Sequence, residues 1–311
     1  MAENEKTMHY ANFNITYGKD EQPMLEHFED IIFPAFCSGY HRGKTGTYPI
    51  FYFDGIEIKE IDDEYILVGN YIKDTQYDVH TTIIDGKLAS TPAKVPTAPY
   101  SRFIIFLKNH RMILVRNEQQ SPDIRSFQAT VREMLNDYVR KENSMRDKKD
   151  KLPFALVNIV DLPLKSDISE LLKDVQKINW LKFRFFPLNN DISPIPFAEN
   201  IDKEMKSIGS KHAHVQFTSP DSKEKITSLI AQSAGLAVAT LQVRDSEGNK
   251  TKIKEDQFTT SKKIVFKHDI LSEDDTYVIS QAKKDSVIAV LSQKNKEIYE
   301  HFYEVIKKLK G

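Results

Sequence analysis

Lys141–Lys151, KENSMRDKKDK, holds one apolar side chain in eleven residues and divides an acidic half of the chain from a mildly basic one. Residues 1–150 carry 19 Lys and Arg against 23 Asp and Glu, whereas residues 151–311 carry 25 against 22. A net charge of −1 therefore hides an asymmetry that makes the second half the place to look for an anionic partner. A chain of 311 residues also exceeds the size at which a single core keeps growing. The reading that follows is a strand-rich α+β domain over 1–142, a basic linker over 143–152, and an α/β domain over 153–311. The expected fold class is α+β, with two domains, mixed or antiparallel sheets each covered by helices, and a long C-terminal helix.

At 40% hydrophobic and 29% charged residues, the composition is that of a folded globular protein. No apolar run approaches the roughly 20 residues that span a bilayer. The opening MAENEKTMHY has neither the basic nor the apolar region of a signal peptide. A cytoplasmic location is expected. Cys37 is the only cysteine and cannot form an intramolecular disulfide. Its neighbours Ile32, Phe33 and Phe36 predict a buried, unreactive thiol.

In the first half, Met8–Tyr17 alternates as a strand, and Met24–Phe36 places Met24, Leu25, Phe28, Ile31 and Ile32 at helical spacing, ending at Pro34. Pro49–Ile61, Tyr65–Tyr71 and Tyr77–Ile84 are strands of antiparallel hairpins. Ser90–Ala98, with Pro92 and Pro96, reads as a loop. Arg102–Leu107 and Arg111–Arg116 flank a tight turn at Lys108-Asn109-His110. Ser121-Pro122-Asp123 then opens a helix with Ile124, Phe127, Val131, Leu135 and Tyr138 on its apolar face.

Strands and helices alternate in the second half. The strands are Phe154–Val160, Trp180–Phe186, His212–Phe217 and Ala237–Val243. The helices are Asp167–Val175, Ile201–Ile208 and Ser222–Ala234, the last closed by Gly235. A turn at Asp245–Asn249 leads to strands at Lys250–Lys254 and Lys263–Phe266. A mostly helical tail from Asp275 to Leu309 can pack on its own domain or on a second copy.

Several segments approach catalytic motifs. Gly39–Thr45, GYHRGKT, is one residue short of a phosphate loop and is followed by Thr47-Tyr48-Pro49 instead of a helix, so it lacks the helix N-terminus that would hold phosphate. Asp54, Glu57 and Lys59 form the carboxylate-carboxylate-lysine set of metal-dependent nucleases, although Glu-x-Lys is also an ordinary pattern on a solvated strand. His212 and His214 share one face of a strand at metal-compatible spacing, with no acidic or cysteine cluster tied to them. His80-x-Thr82 is half of a two-histidine phosphoesterase signature without its second copy. No cofactor or metal is expected, and the chain is not read as an enzyme.

The basic segment near the C-terminus carries the most weight. Lys250, Lys252, Lys254, Lys262, Lys263 and Lys267 face only Glu255 and Asp256 in the same stretch. As a hairpin it puts Lys250, Lys252 and Lys254 on one face, about 6.5–7 Å apart. Such a row follows a phosphate backbone as point charges, giving sequence-tolerant and salt-dependent binding. Thr259, Thr260 and Ser261 add hydroxyls for phosphate oxygens. Edge strands also carry lysines simply to prevent aggregation, and the residues alone favour neither reading.

Taken in order, Pro99–Arg116 (PYSRFIIFLKNHRMILVR), the helix after it, Trp180–Leu188 (WLKFRFFPL) and the LAVATLQVRDSEGNKTKIK core of Lys223–Lys254 resemble RexA-type phage-exclusion proteins. The likeness runs from Asp54 to the end and extends to the fold of RdgC-type recombination-associated proteins. It leaves the first 50 residues and the loop Ser38–Tyr48 unmatched. The resemblance implies a cytoplasmic homodimer that binds double-stranded DNA in anti-phage defence, with a membrane-protein partner encoded nearby. A sequence pI of 6.8 confines any DNA contact to a local patch. Two other classes remain: a protein-interaction module of a defence complex, which would not bind DNA, and a metal-dependent nuclease using Asp54, Glu57 and Lys59.

Overall fold

Arg102–Leu107 and Arg111–Arg116 are nearly continuous apolar runs, the pattern of strands covered on both faces, and the architecture grows outward from them. The computed structural model of the chain describes residues 4–18, 20–44, 46–162, 164–187, 198–233, 235–254, 257–258, 261–266 and 271–310. Its fold is α+β, with two antiparallel sheets.

The large sheet takes β1 (Asn4–Tyr17), β2 (Gln22–Pro23), β3 (His41–Arg42), β4 (Ile50–Ile61), β5 (Glu64–Ile84), β6 (Lys87–Thr97), β7 (Tyr100–Phe106), β8 (Arg111–Arg116) and β9 (Ala155–Asp161). The small sheet runs in the order β11-β10-β12-β13, from β10 (Lys177–Phe185), β11 (Ala213–Thr218), β12 (Ala237–Arg244) and β13 (Lys250–Ile253). A last strand, β14 (Ser261–Phe266), returns to the large sheet, whose main order is β14-β1-β8-β7-β5-β4-β3.

Helical turns over 24–36 end in α1 (Phe33–Phe36), and α2 (Ile124–Ser144) follows the central hairpin. The small sheet carries α3 (Lys165–Leu171), α4 (Ala198–Ile208) and α5 (Lys223–Gln232). The tail forms α6 (Asp275–Ala282), α7 (Ser286–Ala289) and α8 (Gln293–Leu309).

Period-two alternation sorts the large sheet's side chains between two cores. Phe13, Ile15, Leu67, Phe103, Ile105 and Leu114 point to one side, where residues 24–36, α2 and α8 cover them. Met8, Tyr10, Val68, Ile104, Phe106 and Ile113 point to the other, against Val278, Ile279 and Ala282 of α6 and Ile288 of α7. Helix α2 starts where the sequence places it, with the Asp123 carboxylate accepting the Ser126 N–H at 2.8 Å. The apolar face of α8, including buried Tyr299 and Ile306, is covered by this chain's own sheet. The Tyr299 hydroxyl accepts the Tyr65 backbone N–H at 2.8 Å. None of the described helices is long and apolar enough to cross a membrane.

Residues 143–152 do not separate the two sheets. Strands β9 and β14, both C-terminal to that stretch, share one edge of β1: β14 pairs with Asn4–His9 and β9 with Ala11–Tyr17. The charged run is the last turn of α2 followed by a single 3-10 turn, Lys148–Asp150. Composition registers solvation at this point, whereas the pairing of β1 is set by distant apolar strands.

Local readings changed in three other places. Ser90–Ala98 is not a loop but lies in and just beyond β6, which pairs only with β5. Pro92 falls in the irregularity opposite Val79–Thr81, and an edge strand tolerates the missing donor at Pro96. The helical run over 24–36 passes through Pro34. It widens to a π-turn over Phe28–Ile32 ahead of the proline, which has no N–H to give and crowds the carbonyl four residues back. Cys37, expected inside, is exposed beyond the end of α1.

The outer parts of β5 and β6 form a two-stranded arm, paired from Thr75↔Thr97 to Ile84↔Lys87, with Ile83 73% and Leu88 78% exposed near its tip. No core residue comes from Asp78 to Lys94. Replacing 78–94 by a two-residue turn is therefore expected to move the thermal midpoint by no more than about 2–4 °C, the equivalent of ~1 kcal/mol. Differential scanning calorimetry checks this, and a large drop would assign the arm a structural role.

On β1, burial and the nearby Arg116 lower the His9 pKa to about 4. The unfolded chain, with an ordinary histidine pKa of about 6.5, binds the proton that the folded chain refuses between those values. Stability should therefore fall as pH drops from about 6.5 to about 4, by up to ~3 kcal/mol from this group alone. Urea midpoints across that range should be flatter in His9→Gln than in the native chain.

Candidate functional site

The strand Trp180-Leu181-Lys182-Phe183-Arg184-Phe185 alternates perfectly, and its two faces do different things. Leu181, Phe183 and Phe185 face a core with Leu241 and Val243 of β12, Ile253 of β13, Ile168 of α3, and Ile226 and Ile230 of α5. Trp180, Lys182 and Arg184 face the other way. The register sets them level with Gln242, Thr240 and Val238 on β12, and with Thr218, Gln216 and His214 on β11. Lys252 lies opposite Gln242, which places β13's lysines on the same face.

This polar face looks onto the large sheet across a cleft of about 510 Å³. The far wall comes from Ile124, Arg125 and Gln128 in the first turns of α2 and from Ile159 and Asp161 of β9. Two buried asparagines of β1 hold the sheets in this relation. Asn12 Nδ2 donates to the Gly235 carbonyl at 2.7 Å, and Asn14 Nδ2 donates to the Pro187 carbonyl at 2.9 Å. Gly235 adopts φ +78°, and a Cβ there would lie 2.8 Å from both Asn12 Cβ and Leu162 Cδ2. Only glycine allows that approach, two residues past the Ser233 that caps α5.

Arg125, Lys182, Arg184, Lys252 and Lys254 line the cleft, with Asp161 as the one acidic side chain among its lining residues. Among the described residues none of these five cations makes a salt bridge, in contrast to Lys59, Lys108 and Lys262 elsewhere. His214 lines the same cleft. Desolvation, then Lys182 and Arg184, lower its pKa below the ordinary histidine value. The arrangement is a concave cationic surface floored by Thr240, Val238 and Trp180, suited to an anion with an apolar part.

The described lysines among the six singled out in the sequence fall on two different sheets. Lys250–Lys254 and Lys262–Lys267 do not form a hairpin: β13 pairs with β12 in the small sheet, and β14 pairs with β1 in the large one. Ile253 packs in the small sheet's core while Ile264 and Phe266 pack under α6, and these separate burials pull the strands apart. Lys252 and Lys254 reach the cleft, and Lys250 lies on the same face opposite Arg244. Lys262 binds Asp285 at 3.0 Å and Lys263 pairs with Glu5. Lys267, Glu255, Asp256, Thr259 and Thr260 lie outside the described residues.

The other motifs do not assemble. Lys59 Nζ lies 2.8 Å from Asp275 and 3.7 Å from Glu57, and a bulge separates Asp54 from Glu57 along β4. Among the described residues no three His, Cys, Asp or Glu side chains are placed to share a metal ion, His212 and His214 included. Of the stretch Gly39–Thr45, His41–Arg42 form the short strand β3, and the next described element is strand β4, not a helix. His80 and Thr82 sit on the exposed arm. Sequence reasoning missed Arg125, Lys182, Arg184 and Trp180. The alternation of WLKFRF already separated the last three from the core, whereas Arg125 joins them only through the tertiary fold.

Fold and cleft together define an α+β protein with a cleft between two antiparallel sheets that is lined by five cations and one carboxylate. The chain belongs to the family described as Domain of unknown function (DUF4747), whose model matches residues 6–283. No curated protein and no solved structure matches it.

Proposed function

We propose that this protein binds double-stranded DNA without reading its sequence, using the cationic cleft lined by the polar face of the small sheet. The observation that supports this is the convergence of Arg125, Lys182, Arg184, Lys252 and Lys254 on one surface without acidic partners. Lysines at i and i+2 on a strand stand about 6.5–7 Å apart and act as point charges toward phosphate, which gives affinity but no base discrimination. Three of the five, Lys182, Arg184 and Lys252, stand on strands of the small sheet and Lys254 directly follows its edge strand, so a rigid scaffold holds them at fixed spacing. The net −1 of the whole chain is no obstacle, because exposed charges beyond a Debye length of about 8–10 Å are largely screened.

The setting attached to this activity, anti-phage defence beside a membrane-protein partner, follows from the resemblance to RexA-type exclusion proteins. Fluorescence anisotropy of a labelled random-sequence duplex at roughly 50, 100 and 200 mM salt is the test. Five phosphate contacts predict a slope near −4.5 for log K against log salt. Absence of binding at the lowest salt would remove the proposal.

A second reading, a protein-interaction module of a defence complex, draws on one observation: the β5–β6 arm, whose apolar tip is exposed. It predicts no DNA affinity, and loss of a protein partner when the arm is trimmed. Pull-down with the product of the neighbouring gene distinguishes the two.

A further inference from the structure

Trp180 is the only tryptophan in the chain, and it lies in the wall of the cationic cleft. Its situation differs from that of the other large aromatics. Phe53, Phe103 and Phe127 pack ring on ring inside the main core, whereas among the described residues no ring packs against Trp180. The indole is half-buried and shares the cleft with Ile124, Ile159 and Val238. A flat apolar side chain without an aromatic neighbour, beside Lys182 and Arg184, offers stacking on one part of a ligand and charge to another.

Size limits what can enter. A cleft of about 510 Å³ lies within the range of roughly 300–1,000 Å³ typical of small-ligand sites. A continuous duplex is far too large to be enclosed there, while one nucleotide fits. Gln128, Thr240 and His214 line the same space and supply hydrogen-bonding groups for the edge of a base.

We infer that the cleft holds one unpaired nucleotide of a DNA strand, its base stacked on Trp180 and its phosphates held by Lys182, Arg184, Lys252 and Lys254. The inference rests on the DNA-binding reading and sharpens it: the protein grips duplex by its cationic face and prefers DNA with a single-stranded tail or an extruded base. Stacking tolerates every base, so this preference is for structure and not for sequence.

Because Trp180 is the sole indole, its emission reports this cleft and nothing else. The native protein is titrated at constant salt with a blunt random-sequence duplex, the same duplex carrying a single-stranded tail of ten thymidines, and thymidine 5′-monophosphate. Affinities of both DNAs are measured in parallel by anisotropy for the native chain, Trp180→Ala and Trp180→Phe, each checked by circular dichroism and thermal melting. The expected result is strong quenching by the tailed duplex and weak quenching by the blunt one, with a preference for the tail that falls about tenfold to a hundredfold in Trp180→Ala and is largely kept in Trp180→Phe.

Equal quenching by both duplexes, or a tail preference untouched by Trp180→Ala, overturns the nucleotide assignment while salt-dependent binding of both leaves the DNA-binding reading standing. Mononucleotide binding as tight as the tailed duplex makes this a small-molecule site and overturns the strand assignment. Binding of neither DNA removes both readings at once.

Discussion

Alanine at Lys182, Arg184, Lys252 and Lys254 together should lower affinity for duplex DNA on the order of 10³-fold at ~100 mM salt and flatten the log K against log salt slope by about four. The size follows from counterion release, since each lost phosphate contact removes one ion's worth of salt dependence. Lys182, Arg184 and Lys252 stand on the polar face of the small sheet, Lys254 lines the cleft just past the end of β13, and none of the four makes an ion pair among the described residues. The core behind them, built from Phe183, Phe185, Leu241 and Val243, is left unchanged. Folding should therefore survive the four substitutions, with circular dichroism unchanged. The slope is the sharper readout, because partial unfolding lowers affinity without altering the number of ions released.

Asp275→Ala should destabilise the fold strongly. Asp275 is 3% exposed and Arg102 is 2% exposed. The carboxylate accepts from Arg102 Nε at 2.9 Å and from Nη2 at 2.7 Å, and Lys59 Nζ donates to it at 2.8 Å. These bonds fix the first turn of α6 to β7 and β4, on the face of the large sheet that α6 covers. Removing the carboxylate leaves a buried guanidinium whose one remaining partner among the described residues is Asn70 Oδ1 at 3.3 Å, and breaking a pair of this kind costs about 3–5 kcal/mol. A thermal midpoint lower by ~10 °C is expected. The double variant Arg102→Met with Asp275→Leu should recover much of the loss, since it removes both charges from the interface. Urea denaturation of the three proteins measures this. A change below ~1 kcal/mol in Asp275→Ala would mean that water reaches the pair.

Local patterns carried most of the secondary structure. Alternation in WLKFRF, the apolar runs around Lys108-Asn109-His110 and the Ser-Pro-Asp start of α2 each became the element expected. What the sequence could not show was which strands share a sheet. β13 and β14 are separated by only seven residues and both are lysine-rich, so adjacency argued for a hairpin. Their pairing was decided instead by Ile253 on one side and by Ile264 and Phe266 on the other, which belong to different cores.

The same limit governs the site. Lys252 and Lys254 were legible as a charged row, but Lys182 and Arg184 became their neighbours only through the pairing of β12 with both β10 and β13. Arg125 comes from another sheet's covering helix. Lys262 and Lys263 show the converse, because charge that looks free in a sequence is neutralised by Asp285 and Glu5 from distant segments.

The account is tested most directly by comparing two double variants on one labelled random-sequence duplex at roughly 100 mM salt: Lys182→Ala with Arg184→Ala in the cleft, and Lys262→Ala with Lys263→Ala on β14. Each pair removes two positive charges, so the net-charge effect is equal and only location differs. Anisotropy should show on the order of a 30- to 100-fold loss for the cleft pair, with the β14 pair within about threefold of the native chain. Equal losses in the two variants, or a larger loss in the β14 pair, would contradict a DNA site in the cleft.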